Sequence, residues 1–367
     1  MTPASKKLLI AASGTGGHLF PAIATAEQLQ DYQIEWLGVP DRLETQLVPD
    51  RYPLHTVNLE GFQKRLGIGT IEIFTKLVKS ILYVRRLLQQ GQFQGVFTTG
   101  GYIAAPAIIA AKTLGLPTIL HESNALPGKV TRWLSPWCTT VALGFDAAAQ
   151  YLPQAHKVSV GTPVRSQFLQ DLDRDAALPD LGVPGDVPLV IVVGGSQGAV
   201  AVNQIVRQCV LAWIEAGAWV VHLTGESDPD AQQVNHPHYI VRPFYSNMAS
   251  LLCRADLAIS RAGAGTLTEL AIAHTPSILI PYPFAAEDHQ TYNAAIFAAS
   301  GAAIVYRQSE LTADLLTEKV LSLLRSPRLQ EMADAAGALA IADSATQLAI
   351  LIRTTLTPSP QTSKPHR

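Results

Sequence analysis

Three glycine-rich turns and several polar clusters hold the groups in this chain that can do chemistry. The first turn is Gly14-Thr15-Gly16-Gly17-His18, directly after the apolar run Leu8 to Ala12. Glycines after a strand let a ligand approach the backbone, and the helix that follows offers unpaired N–H groups and a positive dipole end to phosphate. Leu19 stands where the dinucleotide fingerprint needs its third glycine, and the Gly-Lys-Ser/Thr of a P-loop is missing. A tight turn in any α/β sheet gives the same string, and His18 at its exit suits a base, a hydrogen-bond donor or a cap. The second turn, Gly194-Gly195-Ser196-Gln197-Gly198, follows Leu189 to Val193 in the same way and adds neutral hydrogen-bonding side chains. The third, Ser260 to Glu269, places Gly263, Ala264, Gly265, Thr266, Leu267 and Thr268 at a helix start, with Glu269 suited to hold two sugar hydroxyls or to cap the helix.

Further polar groups follow other apolar runs. Asp288-His289-Gln290-Thr291-Tyr292-Asn293 can read sugar hydroxyls or simply open a helix. Gly100-Gly101-Tyr102 and His121-Glu122-Ser123-Asn124 each follow a strand-like run, and strand ends of a parallel sheet are where ligands bind. Arg165 closes Gly161-Thr162-Pro163-Val164-Arg165 and suits a phosphate or a surface acid.

Short apolar runs alternating with helix-like segments must position these groups. Leu8 to Ala12, Val96 to Thr99, Thr118 to His121 and Thr140 to Leu143 read as strands of a first half. Leu189 to Val193, Trp219 to Thr224, Leu257 to Ser260 and Ser277 to Pro281 read as strands of a second. Continuous apolar strands imply parallel sheets buried on both faces, hence an α/β, doubly wound class. The repeated opening of strand, glycine turn and helix indicates two Rossmann-like domains facing across a cleft. We expect domains over 1–163 and 164–356, the last helix packing back on the first domain, and a disordered tail over 357–367. The 367 residues, 48% of them hydrophobic, suffice for two cores. A net charge of -2 disfavours nucleic acid as a partner. Cys138, Cys209 and Cys253 are too few and scattered for a zinc site or a disulfide framework, which fits a reducing cytosol. Met1 to Ala12 reads as a first strand rather than a signal peptide, and no apolar stretch is long enough for a transmembrane helix.

Taken together, these strings resemble the MurG family of GT-B glycosyltransferases. The matching pieces are G-T-G-G-H at 14–18, D-R-L-E-T-Q-L-V-P at 41–49, G-G-Y-I-A-A-P at 100–106, H-E-S-N-A-L-P-G at 121–128, G-T-P-V-R at 161–165, G-G-S-Q-G-A at 194–199, R-A-G-A-G-T-L-T-E at 261–269 and D-H-Q-T-Y-N-A at 288–294. Each alone is weak; the ordered set spans nearly the whole chain and is specific. The resemblance implies an inverting transfer of N-acetylglucosamine from UDP-N-acetylglucosamine (UDP-GlcNAc) to the C4 hydroxyl of an undecaprenyl-linked N-acetylmuramyl-pentapeptide, lipid I, giving lipid II for peptidoglycan. It implies that Thr15, Gly16 and Gly17 line the cleft, with Gly14 and Tyr102 on the acceptor side. It assigns donor contacts to Asn124, Arg165, Ser196, the turn Gly263 to Thr268, Glu269 and Gln290. Tyr245 falls where the family often has an aliphatic residue whose backbone meets uracil; Thr162 replaces an asparagine, and Ser13 a frequent glycine. His18 is the first choice of base, because neutral imidazole is available near pH 7, and Glu122 the second.

No cofactor and no metal are expected, since the Asp-x-Asp strings such as Asp171 to Asp173 and Asp228 to Asp230 fall in loops away from the glycine turns. The segment Gly69 to Leu88 reads as an amphipathic helix. Ile71, Phe74, Leu77, Val78, Ile81 and Leu82 share its apolar face, and Lys76, Lys79, Arg85 and Arg86 edge it with cations rather than mixed charge. Such a helix packs on the first sheet or docks on an anionic membrane. With the resemblance, the second reading places the protein peripherally on the cytoplasmic face of the inner membrane, where cell-wall or division proteins are candidate partners. Other readings are a GT-B transferase with another lipid acceptor such as diacylglycerol, a UDP-N-acetylglucosamine epimerase, or a non-catalytic peripheral protein that binds nucleotide sugar.

Overall fold

The computed structural model describes residues 6–59, 68–194 and 199–357, and the side chains of α3 from residue 72 onward. They form two compact units: 6–165 together with 343–357, and 166–342.

The first unit is a seven-stranded, all-parallel sheet. Its strands are β1 (Lys6–Ala11), β2 (Tyr32–Gly38), β3 (Leu54–Thr56), β4 (Gly95–Thr98), β5 (Thr118–Glu122), β6 (Thr140–Leu143) and β7 (Lys157–Ser159), in the order β3-β2-β1-β4-β5-β6-β7. Between them run α1 (Gly16–Glu27), α2 (Glu44–Leu47), α3 (Ile68–Gln90), α4 (Ala104–Thr113) and α5 (Lys129–Leu134). Side chains of a strand alternate between faces, so a strand covered on both sides must be apolar throughout. β1 shows this directly. Leu8 and Ile10 pack with Leu19 and Ala22 of α1, whereas Leu9 and Ala11 pack with Val84 and Leu88 of α3 and Ala107 of α4.

The second unit repeats the plan with six parallel strands. They are β8 (Leu189–Val193), β9 (Trp219–Leu223), β10 (Tyr239–Arg242), β11 (Leu257–Ser260), β12 (Ser277–Leu279) and β13 (Ala303–Val305), ordered β10-β9-β8-β11-β12-β13. Its helices are α6 (Val200–Glu215), α7 (Met248–Arg254), α8 (Ala264–Ile272), α9 (His289–Ser300), α10 (Ala313–Leu324) and α11 (Arg328–Gly337). The chain then returns to the first unit as α12 (Ser344–Leu356). Leu348, Ala349, Ile352 and Leu356 of this helix complete the α1 side of the first core, and Arg353 pairs with Asp31.

Both sheets have the doubly wound order in which the chain reverses direction beside the first strand. Ligands of such sheets bind at that reversal, beyond the carboxyl ends of the strands. The reversal lies between β1 and β4 in the first unit and between β8 and β11 in the second.

α3 differs from its expected face. Ile73, Val84 and Leu88 are buried, while Phe74, Val78 and Leu82, at i, i+4 and i+8, form an exposed stripe with Tyr83 beside it. The broad face is thus two faces, one for the core and one for solvent. The flank is also not purely cationic: Glu72 pairs with Lys76 at 3.0 Å. Arg85 Nε donates to Thr113 Oγ1 on α4 at 3.2 Å. The side chain of Ile71 and the tail from 358 lie outside the described residues. No helix among the described residues is long and apolar enough to cross a membrane.

Candidate active site

In the first unit the turn after β1 meets the turn after β4. Gly14 has φ +101°, a conformation that favours glycine. Thr15 then caps α1 without a side-chain bond, and its carbonyl accepts from the N–H of His18 at 3.0 Å and of Leu19 at 3.1 Å. His18 Nδ1 lies 2.7 Å from the Thr99 carbonyl oxygen, and Thr99 Oγ1 donates back to the His18 carbonyl at 2.9 Å. A carbonyl only accepts, so Nδ1 must carry the hydrogen. In neutral imidazole this leaves the lone pair on Nε2. The ring sits over Gly100 and Gly101, both at positive φ: a β-carbon built on Gly101 would lie 3.5 Å from Nε2. The glycines therefore leave room for the imidazole. Tyr102, the next residue, is exposed.

Glu122 ends β5 and is almost fully buried. Its Oε1 accepts from the backbone and side-chain nitrogens of Asn124, each at 3.0 Å, and its Oε2 from the N–H of Gly128 at 3.2 Å. Both oxygens are thus turned onto the 124–128 loop and the start of α5. His121 beside it is fully buried; its Nε2–H donates to the Gly161 carbonyl at 2.9 Å, and burial pushes its pKa below the ordinary histidine value. Arg165 stacks on the Phe20 ring, 4.7 Å from its centroid, and that ring edge lies against Gly16. The junction arginine is thereby brought beside the first glycine turn. Thr162 Oγ1 is buried with no partner, so threonine leaves a hydrogen-bonding group unused at that junction.

In the second unit Gly194 ends the first strand's exit, and Ser196 lies outside the described residues. The turn after β11 is described. Gly263 caps α8, and a β-carbon added to Gly263 or Gly265 would meet open space. The first N–H groups of α8 precede the helical ladder, which starts with Leu267 N–H on the Gly263 carbonyl at 3.0 Å, so the ladder does not use them. Thr268 Oγ1 is bonded to the Ala264 carbonyl. The Leu267 side chain is fully buried in the core, which leaves only its backbone for a ligand.

Gln290, in the first turn of α9, ties two strand ends together. Its Oε1 accepts from Ala262 N–H at 3.1 Å and Tyr282 N–H at 2.9 Å. The amide orientation is thereby fixed, and Nε2 is the end left for a substrate oxygen. Asn293 Nδ2 holds the Ala262 carbonyl at 3.1 Å. Arg261, unremarked in the sequence beyond its motif, reaches the Ile280 carbonyl and Gln308 and lies under the Tyr282 ring. The Tyr245 hydroxyl donates to Asp180 at 2.7 Å, so its side chain is committed to the 178–183 turn region, which leaves its backbone for a ligand.

Asp228 packs on α6 through Asn203 Nδ2 at 2.6 Å and Arg207 NH1 at 2.8 Å. Its role there is an ion pair. Among the described residues, no three His, Cys, Asp or Glu side chains gather as a metal site.

Two doubly wound units with a glycine turn at a strand exit beside each reversal are the plan of the GT-B fold, and relatives with known names narrow this further. Residues 8–143 match the glycosyltransferase family 28 N-terminal domain and residues 189–348 its C-terminal domain. The "UDP-N-acetylglucosamine--N-acetylmuramyl-(pentapeptide) pyrophosphoryl-undecaprenol N-acetylglucosamine transferase" of Nostoc sp. strain PCC 7120 is 66% identical over 354 residues, 96% of this chain and 99% of that one. Its counterpart in Nostoc punctiforme is 64% identical over the same length. The crystal structure of Acinetobacter baumannii MurG superposes with a TM-score of 0.78 at 32% identity, covering 95% of this chain and 99% of that one. The chain belongs to the MurG family of N-acetylglucosaminyltransferases.

Proposed function

We propose that this enzyme moves N-acetylglucosamine from UDP-GlcNAc to the C4 hydroxyl of lipid I in one inverting displacement, with His18 Nε2 as base. The hydroxyl oxygen bonds to the anomeric carbon as the bond to UDP breaks, and the hydroxyl proton passes to Nε2. The observation that carries this is the Nδ1 contact to Thr99, which fixes the tautomer and leaves Nε2 as the accepting atom. Glu122 acts as a positioning residue, since both its oxygens already hold the loop that follows β5. Charge developing on UDP is stabilised by N–H groups at the start of α8 and by the second glycine turn.

The donor half of this reading rests on Gln290, whose Nε2 donates to a hydroxyl or carbonyl oxygen of the N-acetylglucosamine. Gln290→Glu keeps an acceptor for Ala262 and Tyr282 but removes that donor. Donor affinity should fall by about 1–3 kcal/mol with the fold retained. Calorimetric titration with UDP-GlcNAc checks this, and unchanged affinity would remove Gln290 from the sugar site.

The acceptor carries a polyprenyl chain, so the first unit must reach a bilayer. We assign this to the exposed stripe of α3, where Phe74 is 63% and Leu82 51% exposed, edged by Lys76, Lys79, Arg85 and Arg86. Trp133, 73% exposed on α5 beside Arg132, adds an aromatic suited to a membrane interface. The enzyme would then sit peripherally on the cytoplasmic face of the inner membrane. Each cation near an anionic surface contributes roughly 1 kcal/mol. Glutamate at all four cationic positions of α3 should abolish sedimentation with anionic vesicles and spare transfer to a short-chain soluble acceptor. Undiminished vesicle binding would reject the assignment; loss of both would show that the helix matters for folding.

A further inference from the structure

The motif at 41–49 is not used by the reaction as described so far, yet one of its residues reaches the first glycine turn. Glu44, the first residue of α2, is fully buried. Its Oε1 accepts from Ser13 Oγ at 2.5 Å and from Val39 N–H at 2.7 Å, and its Oε2 from Gly14 N–H at 3.1 Å. Among the described residues no cation pairs with it. A buried carboxylate persists only if donors satisfy it, and here all three come from two strand exits. Gly38, at the end of β2, leaves the space its side chain occupies: a β-carbon there would lie 2.8 Å from Glu44 Cγ.

We propose that Glu44 is a positioning residue for catalysis, setting the first glycine turn and, through it, His18. The carboxylate turns the Gly14 N–H and the Ser13 hydroxyl inward. Gly14 then takes the positive φ that directs Thr15 to the cap of α1, and the Thr15 carbonyl receives the His18 N–H. Three residues separate Gly14 from His18, and the Thr15 carbonyl to His18 N–H bond closes that path. With Thr99 holding the ring from the other side, the imidazole is clamped between β1 and β4. Ser13, where the family frequently has glycine, adds a hydroxyl contact to the carboxylate that glycine cannot make.

The proposal rests on His18 being the base, and the test separates the two. Glu44→Gln keeps the size of the side chain but opposes an NH2 group to a backbone N–H at Gly14 or Val39. Ser13→Ala removes one bond and leaves the carboxylate in place, which keeps the test open if Glu44→Gln folds poorly. Expected are a fall in kcat of about tenfold or more for Glu44→Gln and about two- to fivefold for Ser13→Ala, with KM for UDP-GlcNAc unchanged. Backbone exchange at residues 13–18 should quicken in both. Each change is then repeated in a His18→Asn background with a radiolabelled transfer assay. Residues acting through one group are non-additive, so the effect of either change on kcat should vanish there. Full turnover in both single variants, or an effect that persists undiminished without the imidazole, would overturn the proposal. The base reading stands or falls separately, on the activity of His18→Asn alone.

Discussion

His18→Asn should lower kcat by roughly two to four orders of magnitude, the range lost with a general base, and leave donor affinity nearly unchanged. Asparagine is the informative choice. Its amide nitrogen falls close to the position of Nδ1 and can still donate to the Thr99 carbonyl, so the clamp on the turn is kept while Nε2 is gone. A loss confined to kcat therefore reports the missing proton acceptor, whereas a rise in KM would report a binding role. If turnover survived, the base would have to be sought elsewhere. Glu122 is then a poor substitute, because three N–H groups already occupy its oxygens.

Acid should weaken the second unit through one histidine. His222 is fully buried at the end of β9, with Nε2 3.0 Å from Asn203 Oδ1 and Nδ1 2.7 Å from the Tyr239 hydroxyl. Asn203 Nδ2 is spent on Thr224 and Asp228, so Oδ1 accepts, Nε2 carries the hydrogen and Nδ1 accepts from tyrosine. Burial, and then the charge of Arg207, push the His222 pKa down to about 3. The unfolded chain binds that proton near pH 6.5. The neutral ring thus contributes its full stability above pH 6.5, and the contribution is lost as pH falls toward 3. At about 1.4 kcal/mol per pKa unit, roughly 3 kcal/mol should be gone by pH 4. Urea melts at pH 7 and pH 4 should show this for the native chain, and His222→Gln should be weaker at pH 7 but flatter with pH. The titration of carboxylates elsewhere in the chain cancels in that difference. Parallel loss in both chains would contradict the assignment.

The same network shows which parts of the molecule the sequence discloses. β1 and β8 are legible because both faces of a parallel sheet are covered, which forces unbroken apolar runs before the glycine turns. β3, β7, β10 and β13 are sheet edges of three or four residues, too short for any period to stand out. β2 is interior, but Gln33 and Glu35 interrupt it, and Glu35 is there to pair with Lys7 and His55. The turns at the sheet reversals were readable because glycine at a strand exit has a backbone cause. Glu44 was not, since its partners are the Val39 N–H, five residues away, and the Gly14 N–H and Ser13 hydroxyl, 30 and 31 residues away, which no spacing marks. Nor was the direction of Tyr245, or the use of Gln290 Oε1 as a tie between strands. Asn203 and Arg207 did leave a signal: they lie at i and i+4 on the otherwise apolar face formed by Val202, Val206, Val210 and Trp213. A polar pair on a core-facing stripe asks for buried partners, here Asp228 and His222.

The identity of the acceptor is the claim on which the rest depends, and one measurement addresses it. Purified enzyme is given radiolabelled UDP-GlcNAc with either lipid I or diacylglycerol in the same anionic vesicles, and the lipid-extractable label is counted. Family membership, through relatives that share 66% and 64% of its residues over nearly the whole chain, predicts transfer to lipid I alone. The product should be a disaccharide on the pyrophosphoryl lipid. Label on diacylglycerol with none on lipid I would contradict the account, even if every donor contact described above proved correct.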